Sequence, residues 1–252
     1  MENVIEISNL DYSYPDGHRA LSGINLEIKK GEIFGIIGPT GAGKSTLLQH
    51  LNGLLLGNGE IIIDNLRVEK KNEKAIREKV GIVFQNPDDQ LFCPTVFEDI
   101  AFGLYNMGFT SREVEEKVTA ILEKMNLSRL RELSSHHLSF GEKKRVALAT
   151  TLVMNPQVIA LDEPFANLDY GNIMTVIDMI RQLPITRIII SQDILLALSI
   201  CNRIALLDKG KIITVAQPEV IAANTHILKN AGLDYTPYLQ LIRPWGFDFH
   251  KN

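Results

Sequence analysis

Ile33-Phe34-Gly35-Ile36-Ile37-Gly38-Pro39-Thr40-Gly41-Ala42-Gly43-Lys44-Ser45 is the stretch that decides the fold of this chain. Ile33 to Ile37 is a short apolar run, the pattern of a parallel strand buried on both faces. Gly38 to Ser45 has the spacing G-x-x-x-x-G-K-S of a phosphate-binding P-loop. Glycines there let successive backbone N–H groups turn inward around a phosphate chain with no side chain in the way. Lys44 can reach the β- and γ-phosphates as a point charge, and Ser45 offers a hydroxyl to Mg²⁺. Thr46 and Leu47 open a helix whose positive end faces the phosphates. Strand, glycine loop and helix in that order predict an α/β domain that grips a nucleoside triphosphate. Gly38, Pro39, Thr40, Gly41, Ala42, Gly43, Lys44, Ser45 and Thr46 are expected around it.

The bulk numbers fit this frame. At 252 residues the chain supports one large α/β domain or a core with a smaller subdomain. A content of 45% hydrophobic and 22% charged residues is ordinary for a globular protein. The net charge of −4 points away from a nucleic-acid surface. No apolar run approaches the roughly 18 residues needed to cross a bilayer. The start, Met1-Glu2-Asn3-Val4, lacks the basic and apolar regions of a signal peptide. Cys93 and Cys201 lie far apart in sequence, have no metal-type spacing, and read as buried or incidental thiols.

Outward from the P-loop, Val4 to Leu10 and Ile24 to Ile28 alternate apolar and polar residues as half-exposed strands do, around a turn at Tyr14-Pro15-Asp16-Gly17. Glu60 to Ile63 and Gly81 to Phe84 are further short strands. From Val96 to about Asn155 the pattern turns helical, with one helix from Ser111 to about Met125 and another from Glu142 to Met154. Strand signals return at Val158 to Leu161, Arg187 to Ser191, Arg203 to Leu207 and Ile212 to Val215. The expected architecture is therefore a single P-loop NTPase unit spanning 1–252, with an antiparallel β edge and an inserted helical subdomain at about 86–156. A C-terminal extension of short helices and loops occupies about 217–252.

Val158-Ile159-Ala160-Leu161-Asp162-Glu163 is an apolar strand ending in two acids, the pattern of a Walker B element. Asp162 is placed to hold Mg²⁺ through its water shell. Glu163, one residue on, can orient or deprotonate the attacking water. Gln85 closes the Gly81–Phe84 strand, where its carbonyl oxygen can reach Mg²⁺ or that water. Leu138-Ser139-Phe140-Gly141-Glu142 precedes a helix, and Ser139 and Gly141 can present a hydroxyl and backbone N–H groups at its N-terminus, an anion site. The adjacent His136 and His137 point apart on most backbones and have no third ligand at zinc spacing, so they read as loop residues.

The P-loop, Gln85, Leu138 to Glu142, Asp162-Glu163 and Asn167-Leu168-Asp169 stand in the order found in ABC transporter ATPases, which this chain resembles over about residues 3–215. The resemblance implies a head-to-tail dimer with two ATPs between the P-loop of one subunit and the signature segment, here Ser139 and Gly141, of the other. Asn167-Leu168-Asp169 resembles the D-loop that crosses that interface, which places Asp169 near nucleotide. Tyr14 is then the expected adenine-stacking aromatic, with Tyr12 as its competitor and plain packing as the alternative. Phe84-Gln85-Asn86-Pro87-Asp88-Asp89-Gln90-Leu91-Phe92, followed by Pro94-Thr95-Val96 and Glu98 to Gly103, resembles the energy-coupling-factor and cobalt-type importers, which take up vitamins or Ni²⁺/Co²⁺. That implies a second ATPase chain, like or unlike, a transmembrane coupling subunit, a substrate-binding membrane subunit, and a place on the cytoplasmic face of the membrane. Leu91, Phe92, Val96 and Phe97 are candidate docking contacts, with subdomain core as their alternative.

Two positions depart from the family pattern. In the signature, Phe140 replaces a glycine and Glu142 a glutamine. At Ile190-Ser191-Gln192-Asp193 the family's γ-phosphate histidine is replaced by Gln192, which still donates a hydrogen bond but carries no charge and shuttles no proton. The expectation is slow hydrolysis at this subunit's own nucleotide, with Glu163, Gln85 and Gln192 as its catalytic residues and Ser45, Gln85 and Asp162 around Mg²⁺. The rival readings are a soluble ABC ATPase of DNA repair or translation, and a nucleotide-binding regulator with weak hydrolysis.

Overall fold

The structure, a computed structural model, describes residues 2–235; Pro237, Pro244, Trp245 and Phe247 lie outside the described residues. Strands β1 (Asn3–Ser13) and β2 (Arg19–Lys29) pair antiparallel around the predicted turn, which the Gly17 N–H closes onto the Tyr14 carbonyl at 2.9 Å. β4 (Asn58–Ile63) and β5 (Leu66–Arg67) complete a four-stranded sheet in the order β2-β1-β4-β5. The second sheet holds β3 (Ile33–Ile37), β6 (Val80–Val83), β7 (Val158–Asp162), β8 (Thr186–Ser191), β9 (Arg203–Asp208) and β10 (Lys211–Ala216). Their order is β10-β9-β3-β8-β7-β6, parallel except for the β10 edge.

Both faces of this second sheet are covered, which is why its strands read as unbroken apolar runs. Phe34, Ile36, Val158, Ala160, Ile188 and Ile190 face the antiparallel sheet and α1 (Lys44–Leu51). Their alternates, among them Ile33, Ile37, Ile159, Leu161 and Ile189, face the helical side. Between β6 and β7 the chain forms α3 (Val96–Asn106), α4 (Ser111–Lys124) and α5 (Phe140–Leu152). α2 (Glu73–Lys79), α6 (Tyr170–Gln182), α7 (Ile194–Ile200), α8 (Pro218–Ala223) and α9 (Thr225–Asn230) complete the α-helices among the described residues.

α4 starts at Ser111 as the sequence predicts, while α1 and α5 each start two residues earlier than expected, at Lys44 and Phe140. Thr95, Thr110 and Ser139 each close a capping box with the glutamate three residues on. α5 therefore begins at Phe140 and not at Glu142. The Thr95 box also turns Val96 inward, where it is fully buried with Leu91 nearby in the same core. Neither residue is available for docking, which corrects that expectation. Phe92 is exposed and meets Phe102 edge-on, while Phe97 is half-buried under the Arg131 guanidinium. Both thiols are free, and burial pushes Cys201 up to about 12 and Cys93 up to about 11.

Candidate active site

The P-loop leaves the C-terminal end of β3 and enters α1 through Gly43, whose φ is 102°. Two of its glycines are demanded by protein neighbours more than by a ligand. A Cβ on Gly38 would sit 2.1 Å from the Leu207 carbonyl of β9, and one on Gly43 2.5 Å from the Ala20 carbonyl of β2. Gly41, with φ 79°, needs glycine for its backbone alone. Lys44 is buried and curls over the loop, donating to the Gly38 carbonyl at 2.8 Å and the Pro39 carbonyl at 3.0 Å. Burial holds its ammonium below the usual lysine range, with Glu163 and Asp162 pulling back.

This loop is one wall of a cavity of about 320 Å³ that also takes in Tyr14, His18, Ala20, Gln85, Asp162, Glu163 and Gln192. Three strand ends of the parallel sheet, β7, β8 and β6, deliver the last four, as expected at the carboxyl edge of an α/β sheet. Tyr14 lines the cavity, and its hydroxyl shares a 2.9 Å hydrogen bond with Thr46 Oγ1. Tyr12 instead packs edge-on against the buried His50, 4.7 Å between rings. His18 was not singled out in the sequence; its ring lies 6.4 Å from that of Tyr14 at an interplanar angle of 20°.

Asp162 and Glu163 give the cavity its acidic floor. Burial raises both carboxyls above their ordinary range; Ser45 and Lys44 oppose the shift at Asp162, and the Gln192 backbone N–H and Lys44 oppose it at Glu163. Asp162 Oδ1 and Glu163 Oε1 are buried with no hydrogen-bond partner. Native proteins rarely leave such oxygens bare. Asp162 Oδ1 with the Ser45 hydroxyl and the Gln85 amide oxygen, all at this cavity, makes a hard oxygen donor set that suits Mg²⁺, and leaves Glu163 Oε1 as an unpaired acceptor beside it. Glu163 has φ 45°, a left-handed conformation unusual for a long side chain. Its N–H donates to the Ile190 carbonyl at 3.0 Å, and its Oε2 accepts from the Gln192 N–H at 3.2 Å. Gln192 Oε1 in turn accepts from Thr40 Oγ1 at 3.0 Å, so this glutamine ties the P-loop to the acidic pair.

The structure does not bring Ser139, Gly141 or Asp169 into this cavity. Ser139 is exposed at the start of α5, its hydroxyl donating to Glu142 Oε2 at 2.9 Å and accepting from the Glu142 N–H at 3.3 Å. Glu142 thus uses its second carboxylate oxygen as Arg129's partner, and the Ser139 bonds hold its carboxyl below the usual range. Asp169 caps α6, accepting from the Asn172 N–H at 2.9 Å and its amide at 2.7 Å. Asn172 packs on Gly141, where a Cβ would meet its Oδ1 at 2.6 Å. The signature and D-loop turns are therefore joined to each other, apart from the P-loop. His136 and His137 are exposed in a single 3-10 turn. Among the described residues no cluster of three His, Cys, Asp or Glu is placed to hold a metal.

Sequence reasoning also missed Lys144. It reads as one more solvated charge in Glu142-Lys143-Lys144-Arg145, yet it is buried beneath the cavity and donates to the Glu163 carbonyl at 3.1 Å. Burial pushes its ammonium down to about 8, with Asp162 and Glu163 opposing. A second missed feature is an apolar groove of about 640 Å³ behind Gln85, lined by Phe84, Phe102, Met107 and Met154 and rimmed by Glu73 and Arg77.

With this geometry in hand, the family model described as ABC transporter matches residues 21–166. The chain belongs to that family, and it is an ATP-binding, ATP-hydrolysing cassette. It is 46% identical over 236 residues to the energy-coupling factor transporter ATP-binding protein EcfA of Methanothermobacter thermautotrophicus, covering 91% of this chain and 76% of that one. Among solved structures it is similar to CbiO1 of Clostridium perfringens, described as part of the ABC transporter complex CbiONQ. The TM-score there is 0.81 at 36% identity, covering 96% of this chain and all of that one. It is also similar, at TM-score 0.76 and 28% identity over 85% of this chain and 98% of the other, to the cassette MJ0796 in a dimeric post-hydrolysis state bound to ADP and phosphate.

Proposed function

We propose that this chain is the ATPase subunit of an energy-coupling-factor-type importer for a vitamin or for Ni²⁺/Co²⁺, acting from the cytoplasmic face of the membrane. Two such cassettes, like or unlike, close head to tail on two ATPs. The observation that carries this reading is the separation of two half-sites on one chain. Lys44, Asp162, Glu163 and Gln192 converge on the P-loop cavity, while the Ser139 helix start is exposed outside it. A second copy or a homologue would supply the missing anion-binding turn. The likeness to EcfA, to CbiO1 and to a dimeric cassette bound to ADP and phosphate supports the same arrangement.

In the reaction the P-loop N–H groups and Lys44 hold the phosphates and stabilise the charge that develops on them. Tyr14 covers the base. Glu163 Oε1 takes a proton from the water that attacks the γ-phosphorus, while the bond from that phosphorus to the ADP oxygen breaks. The raised proton affinity of the buried Glu163 suits a base. Ser45, Asp162 and Gln85 would hold Mg²⁺, which would neutralise phosphate charge there. Gln192 fixes Glu163 through its backbone N–H and the P-loop through Thr40. The groove of Phe84, Phe102, Met107 and Met154, with exposed Phe92 at its side, is where a helix of the transmembrane subunit would dock. Residues of about 86–156 form the helical subdomain that carries this groove's outer wall.

Glu163→Gln tests the reading. With ATP and Mg²⁺ the variant should accumulate as a closed pair on size exclusion and lose roughly 10²-fold or more in turnover. A chain that stays monomeric with ATP, alone and beside its membrane subunits, would defeat it. The second reading, a nucleotide-binding regulator, draws on the uncharged Gln192 at the γ-phosphate position; it requires wild-type turnover no higher than that of Glu163→Gln.

A further inference from the structure

Lys144 has no part in the mechanism above, yet it is 4% exposed and its ammonium sits under the acidic pair. Burying an ammonium carries a desolvation cost that a methionine of similar volume would not. What the lysine gains is a donor aimed at the Glu163 carbonyl, 3.1 Å away. That carbonyl belongs to the residue held at φ 45°, a conformation that persists only where its surroundings over-determine it. Its other backbone bonds are the N–H to Ile190 and the carbonyl to the Ala166 N–H at 3.2 Å. Lys144 alone among these partners comes from α5, and it does so about one turn beyond the Ser139 start of that helix. The ring of Phe140, one of the two signature departures, lies over the ammonium at 5.8 Å from its centroid.

We propose that Lys144 is a positioning residue for Glu163, and that through it the base of one nucleotide site depends on the helix whose start serves the other site. The inference rests on the shared-site arrangement of the preceding subsection. α5 is a continuous helix of 13 residues, so a pull on Ser139 and Gly141 by a γ-phosphate moves Lys144 with it. The Glu163 carbonyl follows its donor, and the carboxylate of the same residue follows the carbonyl. Each chain would thus register its partner's nucleotide at its own base, and turnover would be cooperative in ATP.

The test uses the complete transporter complex carrying wild-type chain, Lys144→Met, Lys144→Gln, Glu163→Gln, or Glu163→Gln combined with Lys144→Met. Phosphate release against ATP concentration, fluorescent-nucleotide affinity and melting temperature are measured for each. A misplaced reacting group costs up to about 10²-fold, so Lys144→Met should lower kcat by tenfold or more. KM and nucleotide affinity should stay within about twofold, and the Hill coefficient should fall toward one. Lys144→Gln keeps an N–H donor without the charge and should recover most of kcat. In the Glu163→Gln background Lys144→Met should add no further loss, because the base it positions is gone. Wild-type kcat in Lys144→Met overturns the inference, as does an equal loss in both backgrounds, or a loss that tracks nucleotide affinity and melting temperature. A wild-type complex without ATP-dependent pairing overturns the shared-site reading itself; pairing with Lys144→Met at full kcat overturns this inference alone.

Discussion

The P-loop is held from outside, by the β9 carbonyl of Leu207 against Gly38 and the β2 carbonyl of Ala20 against Gly43. The signature turn is held from within, by the reciprocal bonds of Ser139 and Glu142. A loop clamped between strands of both sheets moves only if the sheets move. A helix start that satisfies its own N–H groups travels as one piece with its helix. The nucleotide-gripping half of the chain is therefore preformed, and adjustment is left to α5 and the turns attached to it. Asn172, packed on Gly141 and bonded to Asp169, ties the D-loop turn to the start of α5.

Breaking the clamp should have the largest effect. Gly38→Ala drives a Cβ into a backbone carbonyl that has no room to retreat, at a cost of about 3 kcal/mol, read as a lower urea midpoint together with lost nucleotide binding. Breaking the self-capped turn should separate binding from turnover. Ser139→Ala forfeits about 1 kcal/mol of cap stability and leaves affinity at its own P-loop unchanged. Turnover of the assembled pair should fall by roughly 10²-fold, the usual toll of one lost donor to developing charge. An equal fall in nucleotide affinity would place Ser139 in its own chain's site.

Gln192→His sharpens the comparison on the P-loop side. Gln192 already supplies a backbone N–H to Glu163 and accepts from Thr40, so only side-chain charge is missing. Turnover of the complex should rise, by less than the roughly 10²-fold that a whole donor is worth; no change or a fall removes slow hydrolysis as the meaning of Gln192. The smallest effect concerns the helix that leaves the loop. His50 on α1 is fully buried, its Nδ1 facing the Thr46 carbonyl at 2.7 Å, and burial pushes its pKa down more than that carbonyl raises it. The unfolded chain then binds the proton more tightly than the folded one. The stability involved is complete above the ordinary histidine value of about 6.5 and is lost as pH falls toward the lowered folded value. Melting curves should show this loss in wild type, and a shallower one in His50→Gln.

Local sequence was sufficient wherever one continuous segment carries both the structure and the chemistry. Ile33 to Ser45 and Val158 to Glu163 are strand and site in a single run, because a strand buried on both faces must be apolar until its last residue meets the cavity. Capping boxes at Thr95, Thr110 and Ser139 were also written in the sequence as Thr or Ser with Glu three residues later, and the Ser139 box starts α5 two residues before the expected Glu142. What the sequence left undecided depends on contacts between distant segments. Tyr12 lies in paired β1 and packs on His50, while Tyr14 lies in the turn beyond β1, where its hydroxyl meets Thr46. Phe84, Phe102, Met107 and Met154 form a groove only when β6, α3 and the end of α5 meet. Lys144 looks solvated in a run of charges, and becomes a buried donor because α5 lies against the end of β7. Residue type and spacing fix what a segment can do; which of its side chains reach the nucleotide is set by packing, since burial and distance across the fold belong to no single stretch of chain.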